Sequence, residues 1–246
     1  MYFDQGEFEI RCEWGLEGIG QLAPGSDAVV IVDVLSFSTS VEIAVRNGAV
    51  PYPYRWRDDT AAAYAESLGA ALADYRWQLA AGYSLAPTSL VSIPAGTRLV
   101  LPSLNGATLS LATGSVPTFA GCLRNARAVA RAAHERGRRV SVVPAGERWP
   151  DGSLRPAIED LVGAGAIIHS LEGTRSPEAE VAESAFLRCR EDLASFLGRC
   201  SSGKELAGHG FAGDVVLAAQ LNASECAPVL VDGAFVAYAS RVSGGI

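Results

Sequence analysis

Residues 28–32 read Ala-Val-Val-Ile-Val and run directly into Asp33, and this junction constrains the fold more than any other stretch of the chain. An unbroken apolar, β-branched run of this length reads as a strand buried on both faces, the pattern of a parallel sheet covered by helices on either side. A carboxylate that closes such a strand must find partners. In open α/β sheets the carboxyl ends of the strands are also where ligands collect. Beyond Asp33 the chain turns through Val34-Leu35-Ser36-Phe37-Ser38-Thr39 and enters a helix predicted for residues 40–47, stopped by Gly48.

The rest of the chain alternates in the same way. Strands are predicted at residues 8–12, 49–54, 97–101, 116–120 and 139–143. The first is peripheral, and Pro51 and Pro53 make the second an edge strand, since proline cannot donate to a ladder. Helices are predicted at residues 61–68, 106–112, 125–136, 178–197 and 211–221, with another after Pro156 that carries Glu159 and Asp160 in its first turn. Asp232-Gly233 centres a terminal hairpin. Gly15, Gly18, Gly20, Pro24 and Gly25 make residues 15–25 read as a loop. Residues 69–94, weighted by Tyr75, Trp77 and Tyr83 but without a period, read as a lid or irregular insertion. The fold class is therefore α/β, with a largely parallel, mixed sheet. No repeat or linker divides the chain, so residues 1–246 are expected to form a single domain.

Charge narrows the function. At a net charge of −7 the chain is not drawn to nucleic acid or to an anionic membrane surface. An anionic ligand must instead be held by local donors. No secretory leader is expected, because the N-terminal residues lack a basic segment followed by an apolar one, and no stretch reaches the roughly 20 apolar residues that span a bilayer. Its five scattered cysteines suit reduced thiols, so the expected location is the cytoplasm.

Three strand-to-helix turns have similar content: Asp33 through Thr39, Ser103-Leu104-Asn105-Gly106, and Ala145-Gly146-Glu147-Arg148. In a parallel sheet they share one edge, where helix N-termini and hydroxyls can bind a phosphoryl group. Asp33, Glu159 and Asp160 are the oxygen donors that a hard cation such as magnesium prefers. Ordinary structural roles compete with each of these readings. Thr39 with Glu42 fits a capping box as well as an anion site, and acidic residues in a first helical turn complement the helix dipole. His209 is a candidate loop proton donor. Cys122 is a candidate thiolate, although no phosphate-binding loop surrounds it and an inert buried thiol explains it better.

At these same turns the sequence resembles the 2-phosphosulfolactate phosphatase family, enzymes of sulfolactate and coenzyme M biosynthesis. The matching blocks are Val30-Ile-Val-Asp33-Val-Leu with Ser38-Thr39, Asn47-Gly48-Ala49, and Ser103-Leu104-Asn105-Gly106-Ala107-Thr108. Gly121 through Asn125, Val143-Pro-Ala-Gly146, Glu159-Asp160 with Ala164-Gly165, and Gly203-Lys-Glu-Leu206 with Gly210-Phe211 and Asp214 complete them. The resemblance implies a three-layer α/β/α fold and a magnesium-dependent phosphatase that takes 2-phosphosulfolactate to sulfolactate and phosphate. Carried over by position, it implies Asp33, Glu159 and Asp160 as catalytic and metal-holding residues. Ser38, Thr39, Asn105, Gly106, Gly210 and Asp214 would contact the small anionic substrate. Homo-oligomerisation is left open. Two departures stand out. Ser36 and Phe37 occupy the positions of the family's arginine and following small residue, and residues 74–77 and 85–89 lack its Gly-Glu-Arg and Gly-Asn-Ser-Pro segments. Arg76, Arg124, Arg148 and Arg155 are the arginines available to replace the missing one. A relative that binds a small organic acid without turning it over is the alternative.

Overall fold

The apolar run at residues 28–32 lies at the centre of the molecule, with all five side chains fully buried. The computed structural model describes residues 2–56, 58–74 and 82–239. In chain order its elements begin with β1 (Ile10–Cys12), α1 (Gly15–Leu22), β2 (Ala28–Val32), α2 (Phe37–Arg46) and β3 (Val50–Tyr54). Next come α3 (Asp59–Leu68), β4 (Ala71–Leu72), β5 (Arg98–Pro102), α4 (Gly106–Ser110), β6 (Thr118–Gly121) and α5 (Ala126–His134). Then follow β7 (Val140–Pro144), β8 (Glu147–Arg148), β9 (Leu154–Arg155), α6 (Ile158–Ile168), α7 (Pro177–Cys189) and α8 (Leu193–Arg199). The chain closes with α9 (Ser201–Gly208), α10 (Ala212–Ala218), β10 (Pro228–Val231) and β11 (Ala234–Ala237).

The main sheet has the order β1-β7-β2-β6-β10-β11. Its first four strands are mutually parallel, and β10 runs antiparallel to both β6 and β11, so the sheet is mixed, as the sequence pattern predicts. Alternation along β2 divides the core. Ala28, Val30 and Val32 pack with Val129 of α5, Ile167 of α6 and Ala182 of α7, whereas Val29 and Ile31 pack with Ile19 of α1 and Leu109 of α4. Helices thus cover both faces, giving the α/β/α layering. On the first face α6 and α7 cross at Gly165, where a Cβ would come within 1.9 Å of the Ala182 carbonyl oxygen.

A second, three-stranded parallel sheet, β3-β5-β4, extends this layering. Helix α2 is wedged between the two sheets: Phe37, Val41 and Ile43 share one cluster with Ala120 and Phe235 on one side and Leu99 and Leu101 on the other. That position explains why every residue from Phe37 to Val45 is buried, hydroxyls and Glu42 included. β3 is an edge strand of this second sheet, in keeping with its prolines.

Several elements depart from the sequence expectation. The glycine-rich stretch expected to be a loop forms α1 and a 3-10 turn at Ala23–Gly25. Its buried stripe is Gly15, Gly18, Ile19 and Leu22, a proper helical spacing hidden because two of the four residues are glycine. The long helix expected at residues 178–197 is broken by a 3-10 turn at Arg190–Asp192. Helix α9 and the β8–β9 hairpin were not anticipated. Tyr75, Arg76 and Trp77 lie outside the described residues. Around them, β4 joins the second sheet, and Ser84, Ala86, Leu90 and Ile93 are buried. No helix among the described residues is long and apolar enough to cross a membrane.

Candidate active site

Asp33 follows β2 and is held by two elements. Its Oδ1 accepts the Phe37 backbone N–H at 3.0 Å, and its Oδ2 accepts the Gly106 N–H at 3.0 Å. The first donor opens α2 and the second opens α4, so the carboxylate pins together two of the turns singled out in the sequence. Glycine at 106 makes this approach feasible: a Cβ there would lie 2.3 Å from the Phe37 ring and 2.8 Å from Asp33 Oδ2.

Asp160, in the first turn of α6, secures the third turn in the same manner. Its Oδ1 accepts from Val34 N at 2.7 Å and its Oδ2 from Gly146 N at 2.9 Å. Burial, followed by the charges of Asp33 and Glu159, pushes the Asp160 carboxyl well above the usual carboxylate range. Glu159 is 2% exposed and lies close enough to Cys200 to interact with its thiol.

Glu147, on β8, completes this group, although the sequence reading did not select it. Its Oε2 accepts a 2.9 Å hydrogen bond from Asn105 Nδ2. Burial, then Asp33 and Glu159, raise its carboxyl to about 7, against the lowering effects of Asn105 and Arg155. The signal that could have found it was its position immediately after Ala145-Gly146, in the turn already noted. Asn105, Glu147, Trp14, Leu109, Arg148 and Leu154 line a cavity of about 230 Å³. A larger cavity of about 440 Å³ lies at α3 and β4, and its described lining includes none of the sequence-selected residues.

Asp33, Asn105, Gly106, Glu159 and Asp160 are thus brought together. The others sit differently. Ser38 and Thr39 are fully buried inside α2, with Ser38 Oγ donating to the Ile31 carbonyl at 3.0 Å and Thr39 Oγ1 to the Val34 carbonyl at 2.7 Å. The nearby Phe37 and Ser38 amides are taken by Asp33 itself. Asp214, on α10, accepts from both the backbone N–H and the hydroxyl of Thr88, at 3.0 and 2.6 Å, and so ties α10 to the 3-10 turn at Pro87–Leu90. Gly210 lies in the link from α9 to α10, at φ +89°.

Two alternative readings are corrected. Helix α2 starts at Phe37, so Thr39 and Glu42 form no capping box. Glu42 instead makes a buried 2.6 Å ion pair with Arg124. Cys122 is fully buried, its Sγ donates to Asn125 Oδ1 at 3.4 Å, and burial with the charge of Glu42 raises the thiol to about 12. It is not a thiolate nucleophile at neutral pH.

The donor chemistry suits a hard cation. Asp33, Glu147, Glu159 and Asp160 offer only oxygen, and their mutual repulsion is what a positive ion would relieve. Among the described residues no three acidic, histidine or cysteine side chains form a ready metal cage.

The chain is similar to known proteins along most of its length. The chain is 36% identical over 138 residues to the 2-phosphosulfolactate phosphatase of Methanothermobacter thermautotrophicus, covering 56% of this chain and 58% of that protein. It is 29% identical over 229 residues to a protein of Gloeobacter violaceus named as a probable 2-phosphosulfolactate phosphatase, covering 84% of this chain and 92% of that one. The profile of the 2-phosphosulpholactate phosphatase family matches residues 20–233, which include Asp33, Asn105, Gly106, Glu147, Glu159 and Asp160. By that match, the chain belongs to the 2-phosphosulpholactate phosphatase family.

Proposed function

We propose that this protein is a magnesium-dependent phosphatase that hydrolyses a small anionic phosphoester, with 2-phosphosulfolactate as substrate and sulfolactate and phosphate as products. The observation that carries the reading is the gathering of Asp33, Glu147, Glu159 and Asp160 beside Asn105 and Gly106. Family membership supports the reaction class.

In this reading one or two of the carboxylates Asp33, Glu159 and Asp160, together with the substrate phosphate, would hold the magnesium ion. When bound, the ion supplies positive charge against the phosphoryl oxygens. The chain's own residues do the remainder. The amides of Phe37 and Gly106 fix Asp33, and those of Val34 and Gly146 fix Asp160, so neither carboxylate needs to reorganise when substrate arrives. Glu147, raised to about 7, is partly protonated near neutral pH and would give that proton to the ester oxygen as a water attacks phosphorus and the bond from phosphorus to the ester oxygen breaks. Asn105 holds Oε2 of that carboxyl, which leaves Oε1 to carry the proton.

The test is phosphate release from 2-phosphosulfolactate with magnesium and with a chelator, for wild type, Asp33→Asn and Glu147→Gln. Magnesium-dependent release by the wild type and its loss in Asp33→Asn are expected. Equal rates for wild type and Asp33→Asn would remove Asp33 from the mechanism. Tight sulfolactate binding without turnover of any phosphoester would make the protein a binder of small acids instead.

A further inference from the structure

We propose that Arg155 is a specificity-determining residue, which holds an acidic group of the substrate lying beyond the phosphoester. The inference rests on the phosphatase reading above and adds to it the residue that reads the rest of the substrate. β8 and β9 pair antiparallel with Glu147 directly opposite Arg155. Directly paired residues project from the same face of a ladder with Cβ atoms about 4.5–5.5 Å apart. Glu147 reaches Asn105 from that face, and Gly106, the next residue, contacts Asp33. The order across the site is therefore Asp33, Asn105, Glu147, Arg155. With the phosphoryl group at Asp33 and the ester oxygen at Glu147, the Arg155 guanidinium stands where a substituent of the ester-bearing carbon would lie. Sulfolactate carries a carboxylate and a sulfonate there.

The guanidinium is both anchored and available. Nη2 donates to Ser202 Oγ at 3.2 Å, and the group lies 5.9 Å from the centre of the Trp149 ring. Nε and Nη1 have no hydrogen-bond partner among the described residues, and neither is sealed from solvent. Two adjacent N–H donors in a planar fork match a carboxylate or a sulfonate. The other described arginines proposed from the sequence are differently engaged. Arg124 is paired with Glu42 inside the core, and Arg148, although it lines the cavity with Asn105 and Glu147, lies one residue along β8 on the opposite face of the ladder and donates to the Gly152 carbonyl within its own hairpin turn. Arg155 is thus the guanidinium that faces the acidic group while Ser36 occupies the position where the family motif has arginine.

The experiment compares wild type, Arg155→Ala and Arg155→Lys on 2-phosphosulfolactate and on isopropyl phosphate, which has no second acid. Arg155→Ala should raise KM for 2-phosphosulfolactate about ten- to a hundredfold and KM for isopropyl phosphate far less, while any change in kcat from the loss of a positive charge beside Glu147 should be shared by both phosphoesters. Added guanidinium ion should recover part of the loss, and Arg155→Lys should fall between the two. 2-Phospholactate, which lacks the sulfonate, separates the two acids: a KM that still depends on Arg155 assigns the carboxylate, and one that does not assigns the sulfonate. An unchanged KM for 2-phosphosulfolactate, or an equal rise in KM for both phosphoesters, overturns the assignment. If the wild type releases no phosphate, the phosphatase reading fails by itself, and calorimetry with sulfolactate then decides on Arg155. Binding by wild type that is lost in Arg155→Ala supports its role, and equal or absent binding overturns it.

Discussion

Asp33 owes its orientation to amides from two helices, and substitution there acts on both stability and chemistry. Asp33→Asn turns an acceptor that faces two N–H donors into a group with only one acceptor oxygen, leaving one amide unpaired in a buried place. A loss of about 1–3 kcal/mol in stability is expected from denaturant unfolding, with activity falling about a hundredfold or more. Gly106→Ala should give a similar activity loss with the carboxylate intact, because the added Cβ must push α4 away from Phe37 and Asp33. Full activity in Gly106→Ala, or an activity loss with the residue-106 N–H to Asp33 contact undisturbed in its crystal structure, would count against that account. Asp33 was legible in the sequence because an acid ending a buried strand has few alternatives. Glu147 was not, since nothing in a glycine-containing loop reveals that a two-residue strand will turn the side chain inward. Ser38 and Thr39 were open to the opposite error: hydroxyls near a helix start resemble ligand donors until burial and their carbonyl partners are known.

At the level of elements, the buried Glu42–Arg124 pair does what a capping box was expected to do nearby, but over a longer range. It joins α2 to the 3-10 turn Leu123–Asn125, and Arg124 reaches further to the Leu217 carbonyl and the Gln220 side chain at the end of α10. Arg124→Ala should cost about 3–5 kcal/mol, because Glu42 would be left charged and alone in the core. The double variant Glu42→Met with Arg124→Met should recover most of that loss in the same denaturant titration. A double variant as unstable as the single would show that the pair contributes more than the relief of a buried charge. The same long-range character explains which elements could be read from sequence. β2, β7 and the terminal hairpin declare themselves through local apolar runs and turn residues. Helix α1 conceals its stripe behind glycines. The separation of β3, β4 and β5 into their own sheet depends on α2 being buried on every side, a property that emerges only when both of its neighbours are in place.

Taken as a whole, the molecule concentrates negative charge at the carboxyl edge of its main sheet while its net charge is already −7. Glu147 has an ordinary carboxyl value of 4.5, raised on folding to about 7, and Asp160 is raised as well. An acid whose value rises on folding stabilises the fold in its protonated form. That contribution is fully present below pH 4.5 and is lost as pH rises through 7. In chelator, Glu147→Gln should therefore match wild type in Tm at pH 4 and exceed it by a few degrees at pH 8. The glutamine keeps the acceptor for Asn105 and removes the charge that Asp33 and Glu159 repel. Magnesium should raise the wild-type Tm at pH 8 by binding only the folded state, and should do so less at pH 5, where Glu147 holds its proton. Phosphate added with magnesium should raise it further if the ion and the phosphoryl group share the site. A wild-type Tm at pH 8 indifferent to magnesium, alongside a Glu147→Gln variant no more stable than wild type, would mean that the acidic edge is neutralised by the protein's own arginines. Arg155, opposite Glu147, would then be the first residue to replace.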